Sequence, residues 1–188
     1  MLNHAVRDVT FALLDTETTG LSARRGARVC ELAVLTVRGG SRPSLFQTLI
    51  DPRRPIEPGA RMIHGITDAM VAGSPTFESL APRIVRLLEG TVLVCHNAPF
   101  DISFMESEFE RAGLPMPSVP VIDTLRLARR HFNFESNSLG RIADAIGVEP
   151  DGWHRAGSDV KILHGVFEHF LKELPQRGVE TLEDMLAR

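Results

Sequence analysis

The sequence predicts an α/β protein in which helices flank a mixed β-sheet. Three strand-like segments precede the first strong helical pattern, which is typical of an antiparallel meander. Beyond residue 77, helical and strand-like segments alternate, which favours parallel strands joined by helices. The chain has 188 residues and shows no internal repeat or long Gly/Ser linker, so we expect a single domain.

The meander is predicted from three apolar segments near the N-terminus. Residues 9–14 form a nearly continuous apolar run that ends at Asp15, which indicates a buried central strand with polar groups at its tip. Residues 28–37 and 44–50 are the second and third strand candidates. The proline-rich segment 51–58 is expected to be a loop that closes this part of the sheet.

The remaining elements are predicted from apolar spacing and glycine stops. Apolar residues at helical spacing across residues 77–88 end at Gly90, which indicates a helix and its stop. Strands are then expected at residues 91–95 and 119–122, and helices at 99–109, 124–132, 138–146 and 158–174. The domain is expected to cover residues 1–175, with residues 176–188 as a short tail packed on it or extending from it.

Composition and charge exclude several classes of protein. Hydrophobic residues make up 43% and charged residues 24% of the chain, which excludes a disordered or fibrous protein. The formal net charge of −3 excludes a uniformly basic surface that holds nucleic acid by charge alone. No apolar run is long enough to cross a bilayer, and the first residues lack the apolar core of a secretory signal. Cys30 and Cys95 do not make a disulfide framework, so we expect a reducing, cytoplasmic setting without a membrane partner.

Four carboxylates stand where the predicted strands and helices meet. Asp15 and Glu17 are two residues apart at the end of the first strand, so their side chains point to the same side. Taken alone, this pair is equally well explained as a polar strand end that enters a turn. Asp101 and Asp159 each open a helix, and each alone is better explained by the helix dipole or by capping.

The common position of the four carboxylates favours a metal site instead. In open α/β sheets the functional crevice lies at the strand ends and the adjoining helix starts. Two unit charges about 4 Å apart repel by roughly 4 kcal/mol at an effective dielectric constant of about 20, so the cluster needs protons or cations. All-oxygen sites suit Mg²⁺ or Mn²⁺, whereas zinc prefers nitrogen and sulfur ligands. Two such ions roughly 3.5–4 Å apart support in-line displacement at phosphorus.

Three segments that contain these carboxylates resemble the ordered motifs of the DEDD exonucleases. They are Asp15-Thr-Glu-Thr-Thr-Gly20, His96-Asn-Ala-Pro-Phe-Asp101 and His154-x4-Asp159. The likeness extends over about residues 10–170 and is closest to the DEDDh branch, typified by the proofreading epsilon subunit of bacterial DNA polymerase III. The resemblance implies a ribonuclease H-like fold and 3′→5′ exonuclease chemistry. It also implies that Asp15, Glu17, Asp101 and Asp159 hold two divalent metal ions, Mg²⁺ or Mn²⁺.

His154 is the residue on which the branch assignment depends. The sister branch carries a tyrosine in the third motif, and this chain contains no tyrosine. His154 stands five residues before Asp159, at the corresponding place, so the resemblance implies that it is the general base. A histidine with an unperturbed pKa of about 6.5 can accept a proton from water at neutral pH.

The resemblance also implies contacts to the terminal nucleotide. The residues after the first motif map onto the family's nucleotide pocket: Thr18, Thr19, Gly20 and Leu21. His64 matches a substrate-contacting position, and Asn97 either caps its helix or touches substrate, with capping favoured. Phe100 either stacks on the last base or belongs to the core. Gly59 stands where the epsilon subunit has an acidic contact, so the choice between DNA and RNA stays open.

The sequence thus predicts a metal-dependent 3′→5′ exonuclease that hydrolyses terminal phosphodiester bonds of single-stranded or frayed DNA to nucleoside 5′-monophosphates. Its expected partners are DNA or RNA 3′ ends, and a DNA polymerase subunit is a further candidate. Two alternatives stay open: an RNA-trimming exoribonuclease of the same branch, and a non-catalytic, polymerase-associated module that binds nucleic acid. All five chemical positions are filled, which argues against the second alternative.

Overall fold

The computed structural model describes residues 8–39, 41–148 and 155–186 and confirms the predicted mixed sheet. In these residues the sheet has five strands in the order β3-β2-β1-β4-β5. They are β1 (Thr10–Thr18), β2 (Val29–Arg38), β3 (Ser44–Leu49), β4 (Val92–Cys95) and β5 (Val121–Asp123). The central position of β1 agrees with its uninterrupted apolar run.

Eight α-helices among the described residues surround this sheet. They are α1 (Pro58–His64), α2 (Asp68–Val71), α3 (Phe77–Leu88), α4 (Ala98–Arg111), α5 (Thr124–His131), α6 (Leu139–Ile146), α7 (Ala156–Glu173) and α8 (Leu182–Leu186). Two 3₁₀ turns, Ala23–Arg25 and Leu174–Arg177, precede β2 and follow α7. No helix in the described ranges is both long and apolar enough to cross a lipid bilayer.

The strand pairing combines the predicted antiparallel meander with parallel strands. β1 pairs antiparallel with β2, and β2 pairs antiparallel with β3. On the other side, β4 lies parallel to β1 and β5 lies parallel to β4. The pairing of β1 with β4 stops at Leu13, whereas its pairing with β2 continues to Thr18. Residues 14–18 therefore form a half of β1 that has a strand neighbour on one side only.

Alternate residues of β1 send their side chains into two separate cores. Phe11 and Leu13 belong to the core that α7 covers, where Phe167 packs edge-on against Phe11 at a centroid distance of 5.0 Å. Leu14 belongs to the core on the opposite face, together with Phe104 of α4. Because both faces of the strand are buried, all four residues 11–14 are apolar.

The N-terminal half differs from the sequence prediction in two respects. β1 continues to Thr18 because β2 pairs with it that far, so the strand extends four residues beyond the predicted apolar run and includes Asp15 and Glu17. The segment after the proline-rich loop contains α1 and α2, which the apolar pattern does not predict. Both helices are short, and α1 is defined by its ends, Pro58 at the first position and Gly65 in the left-handed conformation.

The C-terminal residues pack on the same side of the sheet as α7. Val179 and Met185 are buried in the core that contains Phe167. Arg126 of α5 donates hydrogen bonds to the carbonyl oxygens of Met185 and Leu186 at 3.3 and 3.4 Å. These contacts connect the last helix to the body of the molecule.

Candidate active site

Three of the four predicted carboxylates meet at residues 14–18 of β1. Asp15 and Glu17 are contributed by β1, and Asp159 by the first turn of α7. One carboxylate oxygen of each residue lies within 4.8 Å of the others. The cluster thus joins segments that are far apart in the sequence.

Asp101 lies beside this cluster and is held by β1 itself. Its carboxylate is buried and accepts hydrogen bonds from the N–H of Thr16 at 3.1 Å and from the Thr16 hydroxyl at 2.8 Å. Because β4 does not pair with β1 beyond Leu13, the N–H of Thr16 has no partner in that strand. Asp101, in the first turn of α4, takes the place of that partner and comes close to Asp15.

All four carboxylates line one cleft of about 520 Å³. The walls come from β1 and from the segments where α4, α6 and α7 begin. The lining residues are Asp15, Thr16, Glu17, His96, Phe100, Asp101, Ser138, Leu139, Gly140, Arg141, Asp144 and Asp159. The structure therefore brings together the four acidic residues that the sequence places at strand ends and helix starts.

Burial and mutual repulsion raise the pKa values of three of these carboxyls. Burial is the largest cause for Asp15, and the charges of Asp101 and Asp159 raise its pKa further above the ordinary value. Burial and the charge of Asp159 raise the pKa of Glu17 to about 8. Burial also raises the pKa of Asp101 to about 7, although the hydrogen bonds from Thr16 act in the opposite direction. At neutral pH the cluster therefore requires protons or cations to balance its charge.

The donor set of the cluster suits hard divalent cations. Every candidate ligand is a carboxylate oxygen, which Mg²⁺ and Mn²⁺ prefer, whereas structural and catalytic zinc sites usually include nitrogen or sulfur. Cation binding requires the carboxylates to be ionised, so it releases the protons that the raised pKa values retain. The observed residues thus fit the predicted type of metal ion.

A further buried carboxylate, which no motif of the sequence predicts, lies next to the cluster. Glu31 of β2 is paired with Glu17 in the sheet register and is 1% exposed. Burial alone would raise its pKa, but hydrogen bonds from Arg155, Gln47 and the N–H of Ala156 outweigh burial and lower it. The only signal in the sequence is one acidic residue inside the apolar run of the second strand.

The two threonines predicted to contact substrate are buried and bonded within the protein. The Thr18 hydroxyl donates to the carbonyl oxygen of Gly20 at 2.8 Å. The Thr19 hydroxyl accepts from the N–H of Arg28 at 3.0 Å. These bonds shape the turn after β1, and a contact of either side chain to substrate stays a prediction.

Gly20 and Leu21 follow in the same turn, where Gly20 lies against Glu57 and Leu21 is exposed. The carboxylate of Glu57 lies against Gly20 and occupies the space that a Cβ would need. The family's acidic contact is expected at position 59, which is a glycine in this chain. Glu57, two residues earlier, instead places an acidic group close to the predicted pocket. Leu21 is 81% exposed, which leaves its side chain accessible to a ligand.

His64 is buried and joins α1 to the end of β1. Its Nδ1 accepts a hydrogen bond from the N–H of Ile66 at 3.0 Å, which assigns the ring proton to Nε2. Nε2 lies 3.2 Å from the carbonyl oxygen of Thr18, and it donates to that oxygen. Its predicted contact to substrate stays a prediction.

Asn97 and Phe100 flank the start of α4. Asn97 precedes the helix in the left-handed conformation, with φ 70°, and its side chain makes no capping hydrogen bond. The capping interpretation of that side chain is therefore wrong. Phe100 lines the cleft and is half-buried, and its ring lies 4.9 Å from that of Phe104. One residue thus combines core packing with a surface in the cleft.

His154 lies outside the described residues, and its role as general base stays a prediction. The described chain resumes at Arg155, directly after it. The cleft also has a wall for which the sequence predicts no role, formed by Ser138, Gly140, Arg141 and Asp144 at α6. The packing of α6 beside α7 brings these residues to the cleft.

An acidic cleft of this kind on a mixed sheet is typical of one class of protein, the metal-dependent enzymes that act on phosphate esters. The comparison with protein families then specifies the family. Residues 13–167 match the exonuclease family of the RNase T type, and the chain belongs to that family. The family predicted from the three motifs is therefore confirmed.

Curated relatives agree with this assignment. The chain is 35% identical to the DNA polymerase III subunit epsilon of Pasteurella multocida, over 82% of this chain and 65% of that protein. It is 31% identical to the 3′-5′ exonuclease DinG of Bacillus subtilis, over 93% of this chain but 19% of DinG. It is 34% identical to an epsilon-like protein of Rhodobacter capsulatus, over 95% of this chain and 26% of that protein. The chain thus spans between 19% and 65% of the length of these relatives.

Solved structures confirm the predicted fold. The structure of Exonuclease X in complex with 5′ overhanging duplex DNA superimposes with a TM-score of 0.71 and 30% identity, over 94% of this chain and 97% of that one. E. coli Exonuclease I in complex with a dT13 oligonucleotide has a TM-score of 0.77 and 21% identity, over 90% of this chain and 42% of that one. The second likeness supports the fold alone. The chain thus belongs to the exonuclease family and has the fold of solved exonuclease structures.

Proposed function

We propose that this chain is a metal-dependent 3′→5′ exonuclease that releases nucleoside 5′-monophosphates from the 3′ ends of DNA. The observation that supports the proposal most directly is the meeting of carboxylates from three distant segments in one cleft. In this proposal Asp15, Glu17, Asp101 and Asp159 hold two ions of Mg²⁺ or Mn²⁺. When bound, such a pair supplies charge that readies a water for attack and stabilises the leaving oxygen.

The protein residues contribute by holding the reacting groups in fixed positions. Asp15 and Glu17 lie on the half of β1 that pairs with β2, and this pairing restricts its movement. Asp101 is fixed by its two hydrogen bonds from Thr16. Asp159 is carried by α7, which packs across the sheet. Preorganised ligands of this kind lower the barrier because little rearrangement is required at the moment of reaction.

His154 is proposed as the general base. Its position five residues before Asp159 supports the role, as does the ordinary titration range of histidine near neutral pH. In the reaction it would take the proton of the attacking water. The proton would then leave to solvent.

The proposed substrate is a single-stranded or frayed DNA 3′ end. The DNA in the Exonuclease X complex supports DNA as the nucleic acid. The net charge of −3 favours recognition of the end over a long electrostatic contact with the strand. Phe100 in the cleft and the exposed Leu21 offer apolar surfaces for the terminal bases, and substrate contacts of Thr18, Thr19, Gly20, His64 and Asn97 belong to the same proposal.

Association with a DNA polymerase subunit is proposed from the relatives named DNA polymerase III subunit epsilon. A cytoplasmic location is proposed with it. The two buried cysteines, Cys30 and Cys95, are free, which agrees with a reducing compartment.

The proposal is tested with matched DNA and RNA strands, labelled at either the 3′ or the 5′ end and incubated with Mn²⁺. A 5′-labelled DNA strand is expected to shorten progressively to a ladder, whereas a 3′-labelled strand should release labelled mononucleotide at once. Asp15→Asn and Asp159→Asn are expected to lower kcat at least a thousandfold, roughly 4 kcal/mol in the barrier, because each removes a charge from the metal site.

The matched control is Glu106→Gln, which removes an exposed carboxylate of α4 five residues after Asp101. It should cleave at the wild-type rate. Full activity of either aspartate variant would refute the assignment. Faster cleavage of RNA than of DNA would replace the proposed substrate by RNA, and shortening from the 5′ end would overturn the direction.

A further inference from the structure

We infer that Glu31 is a positioning residue for the acidic cluster. It acts through a clamp, defined here as Glu31, the Arg155 guanidinium and the N–H of Ala156. The clamp fixes the first turn of α7 on β2 and thereby the position of Asp159. This inference rests on the proposed function, since it assumes that the cluster binds metal ions.

The clamp begins with a carboxylate in an unfavourable place. Glu31 is 1% exposed and lies across the sheet from Glu17, another acidic residue. A buried charge without partners is strongly destabilising, and a neighbouring like charge adds to the cost. The position therefore requires a specific compensating contact.

Both oxygens of Glu31 are bonded. Oε1 accepts from an Arg155 guanidinium nitrogen at 2.7 Å and from the Gln47 amide at 2.9 Å. Oε2 accepts from Nε of Arg155 at 3.0 Å and from the N–H of Ala156 at 3.0 Å. Because two nitrogens of Arg155 contact the two oxygens of Glu31, the contact fixes the orientation of the guanidinium as well as its distance from the carboxylate.

The bonded groups identify what the clamp positions. Arg155 directly precedes α7, Ala156 is its first residue, and Asp159 follows in the same turn. The free N–H groups of a helix start require acceptors, and Glu31 supplies one from the neighbouring strand. Arg155 also follows His154 in the sequence. A shift of this turn relative to β2 would move Asp159 away from Asp15 and Glu17.

The chain contains a matched pair that serves as the control. Glu108 of α4 is also 1% exposed and accepts two bonds of 2.7 Å from Arg28, together with one of 3.0 Å from the N–H of Val29. This pair connects the start of β2 to α4, and Arg28 also contacts Glu78 of α3. It has the chemistry of the clamp, but it does not hold α7.

The test is the dissociation constant of Mn²⁺ without nucleic acid, measured by electron paramagnetic resonance of the free ion. Glu31→Gln and Arg155→Ala are each expected to weaken Mn²⁺ binding about tenfold, as loss of a supporting contact to a metal site typically does. Glu108→Gln should lower the melting temperature similarly but leave the Mn²⁺ constant unchanged. Arg155→Lys, which retains the charge but has one donor group, should recover only part of the affinity.

Arg155→Ala distinguishes positioning from simple electrostatics. The substitution removes a positive charge near the cluster, so charge alone predicts tighter Mn²⁺ binding, whereas loss of the clamp predicts weaker binding. Arg155 is 38% exposed at its side chain, so this variant carries the test even where Glu31→Gln does not fold. Unchanged or tighter binding in Arg155→Ala overturns the inference.

The wild-type protein in the same titration separates this inference from the proposed function. Wild-type protein that binds Mn²⁺ and cleaves DNA, together with Arg155→Ala of unchanged affinity, overturns the positioning role alone. Wild-type protein that binds no Mn²⁺ and cleaves nothing overturns both.

Discussion

Asp101 shows how opposing forces act on a single residue of this site. Two hydrogen bonds from Thr16 favour its ionised form, whereas burial favours the protonated form. Burial prevails and raises the pKa to about 7. Folding therefore places carboxyls where ionisation is costly, and a cation that binds them stabilises the folded protein.

A pH dependence of stability follows for the metal-free protein. The pKa of Glu17 rises from 4.5 to about 8 on folding, and that of Asp101 rises from 3.8 to about 7. At pH values between the unfolded and the folded pKa of each group, the folded protein binds more protons than the unfolded chain. The free energy of unfolding therefore decreases as the pH rises through that range. In EDTA, the free energy of unfolding measured with urea is expected to fall as the pH rises from about 4 to about 8, because both groups contribute fully only below their unfolded pKa values.

Two variants control this measurement. Glu17→Gln removes a titrating group, so its profile should be flatter than that of the wild type. Glu106→Gln, on the exposed surface of α4, should keep the wild-type slope. Saturating Mg²⁺ or Mn²⁺ should abolish the decrease of the free energy of unfolding with pH, because the cation replaces the protons on the carboxyl groups. A flat wild-type profile in EDTA is incompatible with the raised pKa values.

Among the elements, those with a long apolar pattern could be predicted and the short ones could not. α3 has the predicted bounds, because its apolar residues repeat over three turns and face a buried sheet. α1 and α2 have seven and four residues, too few to show a period. The end of β1 at Thr18 could not be predicted from hydrophobicity either, because pairing with β2 keeps the residues beyond the apolar run extended.

The start of α7 provides a prediction at this scale, because Gly157 has no room for a side chain. The Gln47 amide occupies the position of a Cβ on Gly157 and donates to Glu31. Gly157→Ala is expected to displace that amide and to lower the free energy of unfolding by about 1 kcal/mol, the net value of a hydrogen bond. In a Gln47→Ala background, Gly157→Ala should instead raise the free energy of unfolding by roughly 0.5–1 kcal/mol, because alanine has a higher helix propensity than glycine.

A double-mutant cycle of urea unfolding measures this reversal of sign. Gly59 is the matched control: it is likewise the second residue of a helix, and the space around its Cβ position is open. Gly59→Ala should stabilise the protein equally in both backgrounds. If Gly157→Ala behaves in the same way, the proposed contact of Gln47 with Gly157 does not exist.

Across the whole molecule, the acidic centre could be predicted, whereas the contacts that support it could not. Strand ends and helix starts gather at one edge of an α/β sheet, so the positions of Asp15 and Asp101 in the pattern were sufficient to place them together. Glu31 and Arg155 are 124 residues apart; Glu31 lies in no motif, and Arg155 occupies an unspecified position of the third motif. Their contact follows from the packing of α7 on β2, which no periodicity in either segment specifies.

The charge of the whole molecule leads to a prediction about how substrate is held. When a protein contacts Z phosphates of a single strand, a plot of the logarithm of affinity against the logarithm of salt concentration has a slope of roughly −0.7Z. With a net charge of −3 and a cleft of about 520 Å³, we expect contact with the last two or three nucleotides, and hence a slope no steeper than about −2.

The measurement is kcat/KM for single-stranded DNA of graded length over a series of KCl concentrations at fixed Mn²⁺. Shortening the strand from about twelve to about four nucleotides should change kcat/KM less than threefold, because the outer phosphates contribute little. A slope of about −4 or steeper, together with a strong loss of activity on the short strand, would require an extended basic track. In that case the uneven distribution of charge, and not its sum, would govern binding, and the arginines beyond the cleft would become the residues to substitute.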